Sequence, residues 1–342
     1  MSGFYDLPSE QQVDALRALL IDALEAWDLG ALESVELLAE RENAVFEVCT
    51  DRGRFVGRVH RAGYHTDDQL RSQVAWMRAL RTQGVVETAD VVDTRAGDVF
   101  TVATRPPVPE ARQVSVLEWV GGEQLSSRLQ AASGDELAHW YHRIGALAAG
   151  LHEQVRTWRR PAGFSTITWD VDGLLGERAV WGRFWALEGM AADDRAVMEE
   201  LRARATAELA RLPRDPERYG LIHNDFLAEN LLVDGDRLTL LDFDDCGESW
   251  FAWDLTPALV SIATREDYPS LRDALVDGYR EVRPLDEDDL ARLPLLFALR
   301  MATYAAWLDT RSHTQFAKDL GPVIVAAAVD VARRYLAGEL EV

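Results

Sequence analysis

The sequence predicts an α+β protein of two lobes, with its strands in the N-terminal part and most of its helices after them. Short runs of alternating apolar and polar residues occupy the chain before residue 120, whereas apolar residues recur at helical spacing from residue 124 onward. A Gly121-Gly122 pair separates the two patterns. Strands followed by helices, joined at one flexible link, indicate an N-terminal lobe over 1–120 and a C-terminal lobe over 121–342.

The N-terminal lobe is predicted to be a small antiparallel sheet with helices beside it. Residues 9–30 start with a serine, keep helical apolar spacing and stop at a glycine, and residues 66–84 repeat that spacing. Alternating patterns predict strands at 34–40, 44–50, 54–60 and 113–120 and a further hairpin over 89–103 through Gly97.

The C-terminal lobe is predicted to be mainly helical, with one exception at residues 221–245. There the short apolar arms 231–233 and 238–241 flank Asp234-Gly235, a strong signal for a tight hairpin. The sequence shows no internal repeat.

Composition narrows the classes of partner. A net charge of −22 disfavours nucleic acid and anionic membranes, and it fits either a cationic ligand or an acidic, well-solvated surface. No apolar run approaches the roughly 18 residues of a membrane span, and the N-terminus lacks the pattern of a signal peptide. Cys49 and Cys246 match no metal or redox spacing. We expect a cytoplasmic protein, and the sequence indicates no oligomeric state.

The stretch "LIHNDFLAEN" at 221–230 concentrates polar chemistry directly after an apolar strand. It holds two of the three asparagines in the chain, beside a histidine and two carboxylates. Because the hairpin that follows folds back on itself, Asn230 at its entry and Asp242 at its exit are expected side by side, with Asp225 one loop away. Oxygen ligands of this kind suit Mg²⁺, whose coordination is completed by the phosphates of a substrate. An Asp that accepts a hydroxyl proton, with an Asn and an Asp on metal, is the arrangement of phosphoryl-transfer enzymes.

These residues resemble those of the aminoglycoside phosphotransferase and choline kinase-like family. The signature His-x-Asp-x4-Asn followed by Asp-Phe-Asp occurs here as "HNDFLAEN" and "LLDFDD", and "DFDDCG" is closest to a branch with homoserine-kinase-like and stress-response kinases. Weaker similarity lies at 42–48, 119–122 and 253–255. The resemblance implies a bilobal protein-kinase-like fold with ATP held between the lobes.

The resemblance also implies roles for individual residues. Asp225 would be the general base, Asn230 and Asp242 would bind Mg²⁺, and Asp244 would be a further carboxylate at the metal. Adenine would bond to the backbone between Glu118 and Val120. Asp254, in the "WDL" segment, would orient the catalytic loop from behind.

Two features depart from the family pattern. Lys318 is the only lysine, so the usual phosphate-binding strand lysine is absent, and alignment puts Arg58 there with Gln73 as its helix partner. No glycine-rich loop follows the first strand, so residues 38–45 would cover phosphate through backbone amides and Asn43, which is equally expected as a turn residue.

The acceptor side is less defined. Four tryptophans at 158–185 either fill core or line an acceptor pocket, and Asp170, Asp172 and Glu229 are candidate substrate-binding residues. We expect an ATP- and Mg²⁺-dependent phosphotransferase acting on a hydroxyl of a small amino-containing or cationic molecule, such as an aminoglycoside, an aminosugar or an amino alcohol. A Ser/Thr protein kinase of the same fold and a nucleotide-binding regulator with little or no catalysis remain as alternatives.

Overall fold

A computed structural model describes residues 3–40, 43–312 and 314–342 of the chain. Residues 41 and 42, which belong to the expected phosphate-covering segment 38–45, lie outside this range, and residue 42 is also the first residue of the 42–48 similarity. The chain divides into two compact units. The first is Met1–Gly122 with Arg160–Ser165 and Thr239–Leu241, and the second contains the rest of the chain.

The first unit is built on an antiparallel sheet with strand order β1-β2-β3-β6-β5. Its strands are β1 Leu32–Glu40, β2 Ala44–Thr50, β3 Gly53–Val59, β4 Glu87–Thr88, β5 Thr101–Ala103 and β6 Arg112–Glu118. The short β4 lies outside this sheet and pairs in parallel with the 239–240 segment. The predicted strands at 34–40, 44–50, 54–60 and 113–120 are confirmed to within two residues.

Two helices accompany this sheet, α1 Ser9–Ala23 and α2 Asp67–Thr82. Thr66 and Gln69 cap the start of α2 by exchanging side-chain hydrogen bonds with each other's backbone N–H. The helix predicted over 9–30 ends earlier, in a 3-10 turn at Leu24–Ala26. The chain turns there because Trp27 is buried and donates its indole N–H to Val92 O at 2.8 Å.

The hairpin predicted over 89–103 is wrong in its first arm. Only β5 forms a strand of the sheet in this segment, while Val91 makes an isolated bridge to Leu117 of β6. Val92 N–H donates to Val116 O, and Asp90 O accepts from Glu118 N–H, both at 2.8 Å. The alternation of 89–93 is therefore real, but these residues cover the edge of β6 instead of pairing with β5.

The second unit is mainly helical, as the sequence predicts. Its helices are α3 Leu125–Ala131, α4 Asp135–Thr157, α5 Val171–Leu175, α6 Ala192–Leu209, α7 Thr256–Ile262, α8 Tyr268–Val282, α9 Glu287–Leu290, α10 Leu293–Asp309 and α11 Gln315–Ala337. Helices α4 and α8 approach each other closely at two glycines. A methyl group on Gly145 would lie 1.9 Å from Leu275 O, and one on Gly278 would lie 1.9 Å from His142 O. No helix in the described ranges is long and apolar enough to cross a membrane.

Short strands position the polar segment 221–245, and all of them belong to the second unit except residues 239–240. They are β7 Glu123–Gln124, β8 Ile167–Thr168, β9 Tyr219–Ile222, β10 Leu231–Asp234, β11 Arg237–Leu240 and β12 Gly247–Trp250. β12 lies between β8 and β9, and Gly247 is paired with Ile222 in antiparallel register. Because His223 follows Ile222 and Cys246 precedes Gly247, the 223–227 loop and the 242–246 segment leave this small sheet at the same end.

Candidate active site

Asp225 and Asn230 are in direct contact. β9 ends at Ile222, the loop follows, and a 3-10 turn at Ala228–Asn230 leads into β10. The amide nitrogen Nδ2 of Asn230 donates to Asp225 Oδ2 at 2.6 Å and to Asp225 O at 3.1 Å. The structure therefore brings together the residue predicted as general base and one residue predicted as a metal ligand.

Asp254 anchors the start of the loop, as the sequence predicts. Its carboxylate accepts from His223 N–H at 3.0 Å and from Asn224 N–H at 2.5 Å. His152 Nε2 bonds the same carboxylate at 2.9 Å, and His152 Nδ1 bonds the Tyr279 hydroxyl at 2.9 Å. Burial lowers the pKa of His152, while its hydrogen bond to Asp254 and that residue's charge act in the opposite direction. The loop thus rests on a buried, hydrogen-bonded network that sequence reasoning found only at Asp254.

Asn224 and Asp242 have backbone conformations that L-residues seldom adopt. Their φ angles are 69° and 57°, and they are the only non-glycine residues with positive φ in the described part of the chain. Asn224 is buried, and its Oδ1 accepts from Trp253 Nε1 at 2.7 Å. Its buried Nδ2 has no hydrogen-bond partner among the described residues. Strained residues of this kind cluster at functional sites, and one of these precedes Asp225 directly.

Arg300 is a site residue that sequence reasoning missed. It lies on α10, is 5% exposed, and donates from Nη2 to Asp225 Oδ1 at 3.1 Å. Its Nη1 donates to Asn224 O at 3.0 Å and to Asn224 Oδ1 at 3.2 Å. Burial lowers the pKa of Arg300, and the charges of Asp225, Asp245 and Asp254 counteract this. A single charge inside the apolar run "LPLLFALRMATYAAWL" was the signal that could have identified it.

The predicted metal ligands flank the hairpin of β10 and β11, which are neighbouring strands. Asn230 directly precedes β10, and Asp242 follows the end of β11, exposed to solvent, whereas Asp244 is buried. Since Asn230 Nδ2 is bonded to Asp225, its amide oxygen remains for a cation. An amide oxygen and carboxylates are the hard donors that Mg²⁺ takes. The described residues contain no cluster of three or more His, Cys, Asp and Glu side chains suited to metal binding.

Asp245 connects this segment to the tryptophan-rich insert. Trp181 Nε1 donates to Asp245 Oδ1 at 3.2 Å, and Trp169 Nε1 donates to Asp245 O at 2.8 Å. The two indole rings meet edge to face at 4.8 Å. The Arg300 guanidinium lies over the Trp181 ring, 4.7 Å from its centre. Three of the four insert tryptophans, at 169, 181 and 185, are buried, and Trp181 packs against Arg300.

In the first unit, Arg58 and Gln73 line one small cavity of about 20 Å³, together with His60 and Ser115. Arg58 is half-buried on β3, opposite Ser115 of β6, and Gln73 is buried on α2. Both residues therefore line the same cavity, and their pairing at a phosphate stays a prediction. His60 Nε2 and Ser115 Oγ, at 2.8 Å, form a polar wall of this cavity.

The other residues predicted for nucleotide binding have backbone partners. Asn43 is buried, and its Oδ1 accepts from Arg61 N–H at 3.1 Å, which is the contact of a residue that stabilises the hairpin. Glu118 ends β6, and its N–H donates to Asp90 O. Val120 lies two residues beyond the strand and is half-buried. The bond to Asp90 uses the Glu118 amide, so an adenine would have to use other backbone groups of this segment.

The three residues predicted for the substrate differ in their surroundings. Asp170 caps α5, because its Oδ1 accepts from Asp172 N–H and Gly173 N–H, and its Oδ2 pairs with Arg214 at 2.9 Å. Both oxygens of Asp170 are thus used within the protein. The side chains of Asp172 and Glu229 are exposed. The structure does not bring these three carboxylates together around Asp225.

Comparison with known proteins identifies the family. A sequence model described as the phosphotransferase enzyme family matches residues 34–295. The chain belongs to this family. The structure of a microcompartment-associated aminopropanol kinase is similar, with a TM-score of 0.80 and 30% identity over 97% of this chain and 98% of that one. A homoserine kinase from Nitrobacter winogradskyi is 30% identical over 286 residues, which are 81% of this chain and 79% of that protein.

A third relative carries a nucleotide. The structure of amicoumacin kinase in complex with AMP-PNP and Ca²⁺ has a TM-score of 0.71 and 19% identity, covering 94% of each chain. The protein is therefore a small-molecule kinase with the α+β, protein-kinase-like fold, an N-terminal antiparallel sheet followed by a helical lobe. The family and fold predictions are confirmed.

Proposed function

We propose that this protein transfers the γ-phosphoryl group of ATP, with Mg²⁺, to the hydroxyl of a small amino alcohol. The contact of Asp225 with Asn230 carries the proposal, because it joins a carboxylate able to accept a proton to an amide whose oxygen is available for a cation. The two residues lie in the loop "HNDFLAEN", and the family catalyses phosphoryl transfer. In this proposal residues 1–120 serve the nucleotide, and residues 121–342 supply the base, the metal ligands and the acceptor site.

Asp225 would act as the general base. The acceptor hydroxyl gives its proton to the Asp225 carboxylate while its oxygen forms a bond to the γ-phosphorus. The bond between that phosphorus and the bridging oxygen breaks, and ADP leaves with the electron pair. Each carboxylate oxygen can accept more than one hydrogen bond, so the bonds from Asn230 and Arg300 still leave room for the acceptor hydroxyl.

Asn230, Asp242 and Asp244 would hold Mg²⁺, which offsets negative charge on the phosphates when it is bound. Arg58 would bind phosphate with a fork of donors in place of a lysine, oriented by Gln73. The backbone from Glu118 to Val120 would bind adenine. The partners of Asn43 and Asp170 favour structural roles for both, so neither is included in this proposal.

The names of the relatives support an amino-bearing acceptor. By their names, these relatives act on aminopropanol, homoserine and amicoumacin. The first two of these compounds carry an amine and a hydroxyl on a short chain. A net charge of −22 favours approach of a cation, and the exposed carboxylates Asp172 and Glu229 are candidate contacts for an ammonium group. We place the reaction in the cytoplasm, where ATP is available.

The acceptor class is tested with matched pairs of compounds. ADP release would be measured with aminopropanol, homoserine, ethanolamine and choline, and with propanediol as the isostere in which a hydroxyl replaces the amine. Amino alcohols are expected to give kcat/KM at least about tenfold above propanediol, which corresponds to about 1.4 kcal/mol of recognition of the charged group. Equal rates with and without the amine would contradict the amino-alcohol assignment. In a parallel assay with γ-labelled ATP and a protein fraction, label entering polypeptides would favour a protein kinase.

A further inference from the structure

Arg300 is a buried cation that touches the catalytic loop from a separate helix. It lies seven residues into α10, and its neighbours Leu299 and Met301 are buried apolar residues. The guanidinium contacts two successive residues of the loop, with Nη2 on the Asp225 carboxylate and Nη1 on the backbone and side-chain oxygens of Asn224.

Burial of this charge costs free energy, and packing alone gives no reason for an arginine at this position. Taking a guanidinium out of water is unfavourable, and an apolar residue of similar volume usually packs as well as a buried ion pair. The planar fork of arginine, however, bonds Asp225 and Asn224 from two separate nitrogens in a fixed geometry, whereas methionine has no donor and lysine would have to reach both from one nitrogen. The Trp181 ring, 4.7 Å away, lies against the guanidinium, and Trp181 is in turn bonded to Asp245. The arrangement holds the arginine itself in one orientation.

Asp225 is consequently held through both carboxylate oxygens and through its backbone. Arg300 bonds Oδ1, Asn230 bonds Oδ2, and His223 Nδ1 accepts from the backbone N–H of Asp225 at 3.2 Å. Two of these contacts come from the loop itself, so without a partner outside the loop the carboxylate would keep rotational freedom about its side chain. Arg300 supplies that external contact. It also bonds Asn224, whose left-handed backbone directly precedes Asp225.

We propose that Arg300 is a positioning residue that fixes the Asp225 carboxylate for proton transfer. This inference rests on the proposed role of Asp225 as the general base. Its consequence is specific: Arg300 contributes to turnover through the orientation of the base, and not through binding of ATP or of the acceptor.

Three variants test this. Arg300→Met removes both contacts at similar volume, and Arg300→Lys keeps the charge without the fork. Arg311→Met is the matched control, because Arg311 is 4% exposed, lies 4.1 Å from the Trp307 ring and donates to Trp307 O at 2.8 Å, beyond the end of α10. A misplaced catalytic group costs on the order of 10²-fold in rate, so Arg300→Met should lower kcat by about that factor with both KM values within about threefold. Arg300→Lys should recover part of the lost kcat.

The kinetic result that would overturn the proposal is a kcat of Arg300→Met within about threefold of wild type, or a change in kcat and KM no different from that of Arg311→Met. A second measurement does not depend on the acceptor. Hydrogen exchange of peptides spanning 221–230 should be about tenfold faster or more in Arg300→Met and unchanged in Arg311→Met. Equal protection in the two variants would also overturn it.

Different results would contradict the positioning role of Arg300 and the proposed function. If the wild-type protein phosphorylates none of the amino alcohols, the acceptor class proposed above is wrong, and the exchange comparison still decides whether Arg300 orders the loop. If the wild type is active and Arg300→Met is equally active, the positioning role fails while the proposed function stands.

Discussion

Asn230 donates a 2.6 Å hydrogen bond from its amide nitrogen to the Oδ2 atom of Asp225. The bond joins two residues of the segment between β9 and β10, and it gives the nitrogen and the oxygen of one amide different roles. Its nitrogen holds the carboxylate, and its oxygen is left for a hard cation. Substitutions at the proposed metal ligands, at the residues that support the loop and at the proposed nucleotide site should therefore have different measurable effects.

Asp242→Asn should raise the requirement for Mg²⁺. Replacing a carboxylate ligand by an amide removes one negative charge from the cation, so we expect the Mg²⁺ concentration for half-maximal activity to rise about tenfold or more, together with a lower kcat. The measurement is initial rate against free Mg²⁺ at saturating ATP. Asp236→Asn, an exposed aspartate in the turn of the same hairpin, is the control. An unchanged Mg²⁺ dependence in Asp242→Asn would exclude Asp242 as a ligand.

Asp254→Asn should destabilise the protein. The carboxylate accepts from His223 N–H and Asn224 N–H and is fully buried, whereas an amide can accept through only one of its two terminal atoms. Breaking such a buried charged network costs about 3 kcal/mol in the free energy of unfolding, which urea denaturation would measure. Asp288→Asn, at an exposed aspartate, should stay within about 0.5 kcal/mol of wild type. A loss at Asp254 no larger than this would show that the loop does not depend on it.

His152 should make the stability fall in mild acid. Burial lowers its pKa, so below about pH 6.5 the unfolded chain takes up a proton that the folded protein resists. The free energy of unfolding should be greatest above this pH and decrease as the pH falls, by at most about 1.4 kcal/mol per pH unit for this one group. The His152 ring is hydrogen-bonded to Asp254 and Tyr279, and the positive charge of Arg283 also lowers its pKa.

The measurement is urea denaturation between pH 8 and pH 5. His152→Gln should be less stable at pH 8 but should lose less stability on acidification than the wild type does. His139→Gln, at an exposed histidine, should keep the wild-type pH dependence. The same slope in His152→Gln and wild type would rule out His152 as the source.

Arg58→Met should weaken ATP binding without affecting the acceptor. Loss of a charge-assisted bond to phosphate costs about 1.5–3 kcal/mol, which is a rise in KM for ATP of roughly 10- to 100-fold. Arg52→Met, in the exposed turn between β2 and β3, is the control. Arg58→Lys combined with Gln73→Glu installs the usual kinase pair, and we expect lower activity than wild type because Arg58 has the longer reach. A large gain in activity would instead indicate a phosphate site that has decayed.

The sequence predicted the parts of this protein that depend on local pattern. The strands predicted at 44–50 and 54–60, helix α2 and the 231–240 hairpin follow from periodicity and turn residues, and the contact of Asp225 with Asn230 follows from their spacing. The first arm of the 89–103 hairpin failed because alternation shows that a segment is extended, but not which strand it meets. Arg300 was missed because 75 residues separate it from Asp225, and only folding brings them together. Asp170 was predicted to bind substrate, but it caps α5, which its place before that helix could have indicated, and it pairs with Arg214, which no local pattern reveals.

The most direct test of the account is phosphoryl transfer by Asp225→Asn. With γ-labelled ATP, Mg²⁺ and the best amino alcohol, the wild-type protein should move label to the acceptor, whereas the variant should lose about 10²- to 10⁴-fold in kcat while it binds Mg-ATP normally. Binding measured by calorimetry separates a lost base from a lost fold. If Asp225→Asn keeps more than about a tenth of the wild-type kcat, Asp225 is not the general base and the mechanism proposed here is wrong.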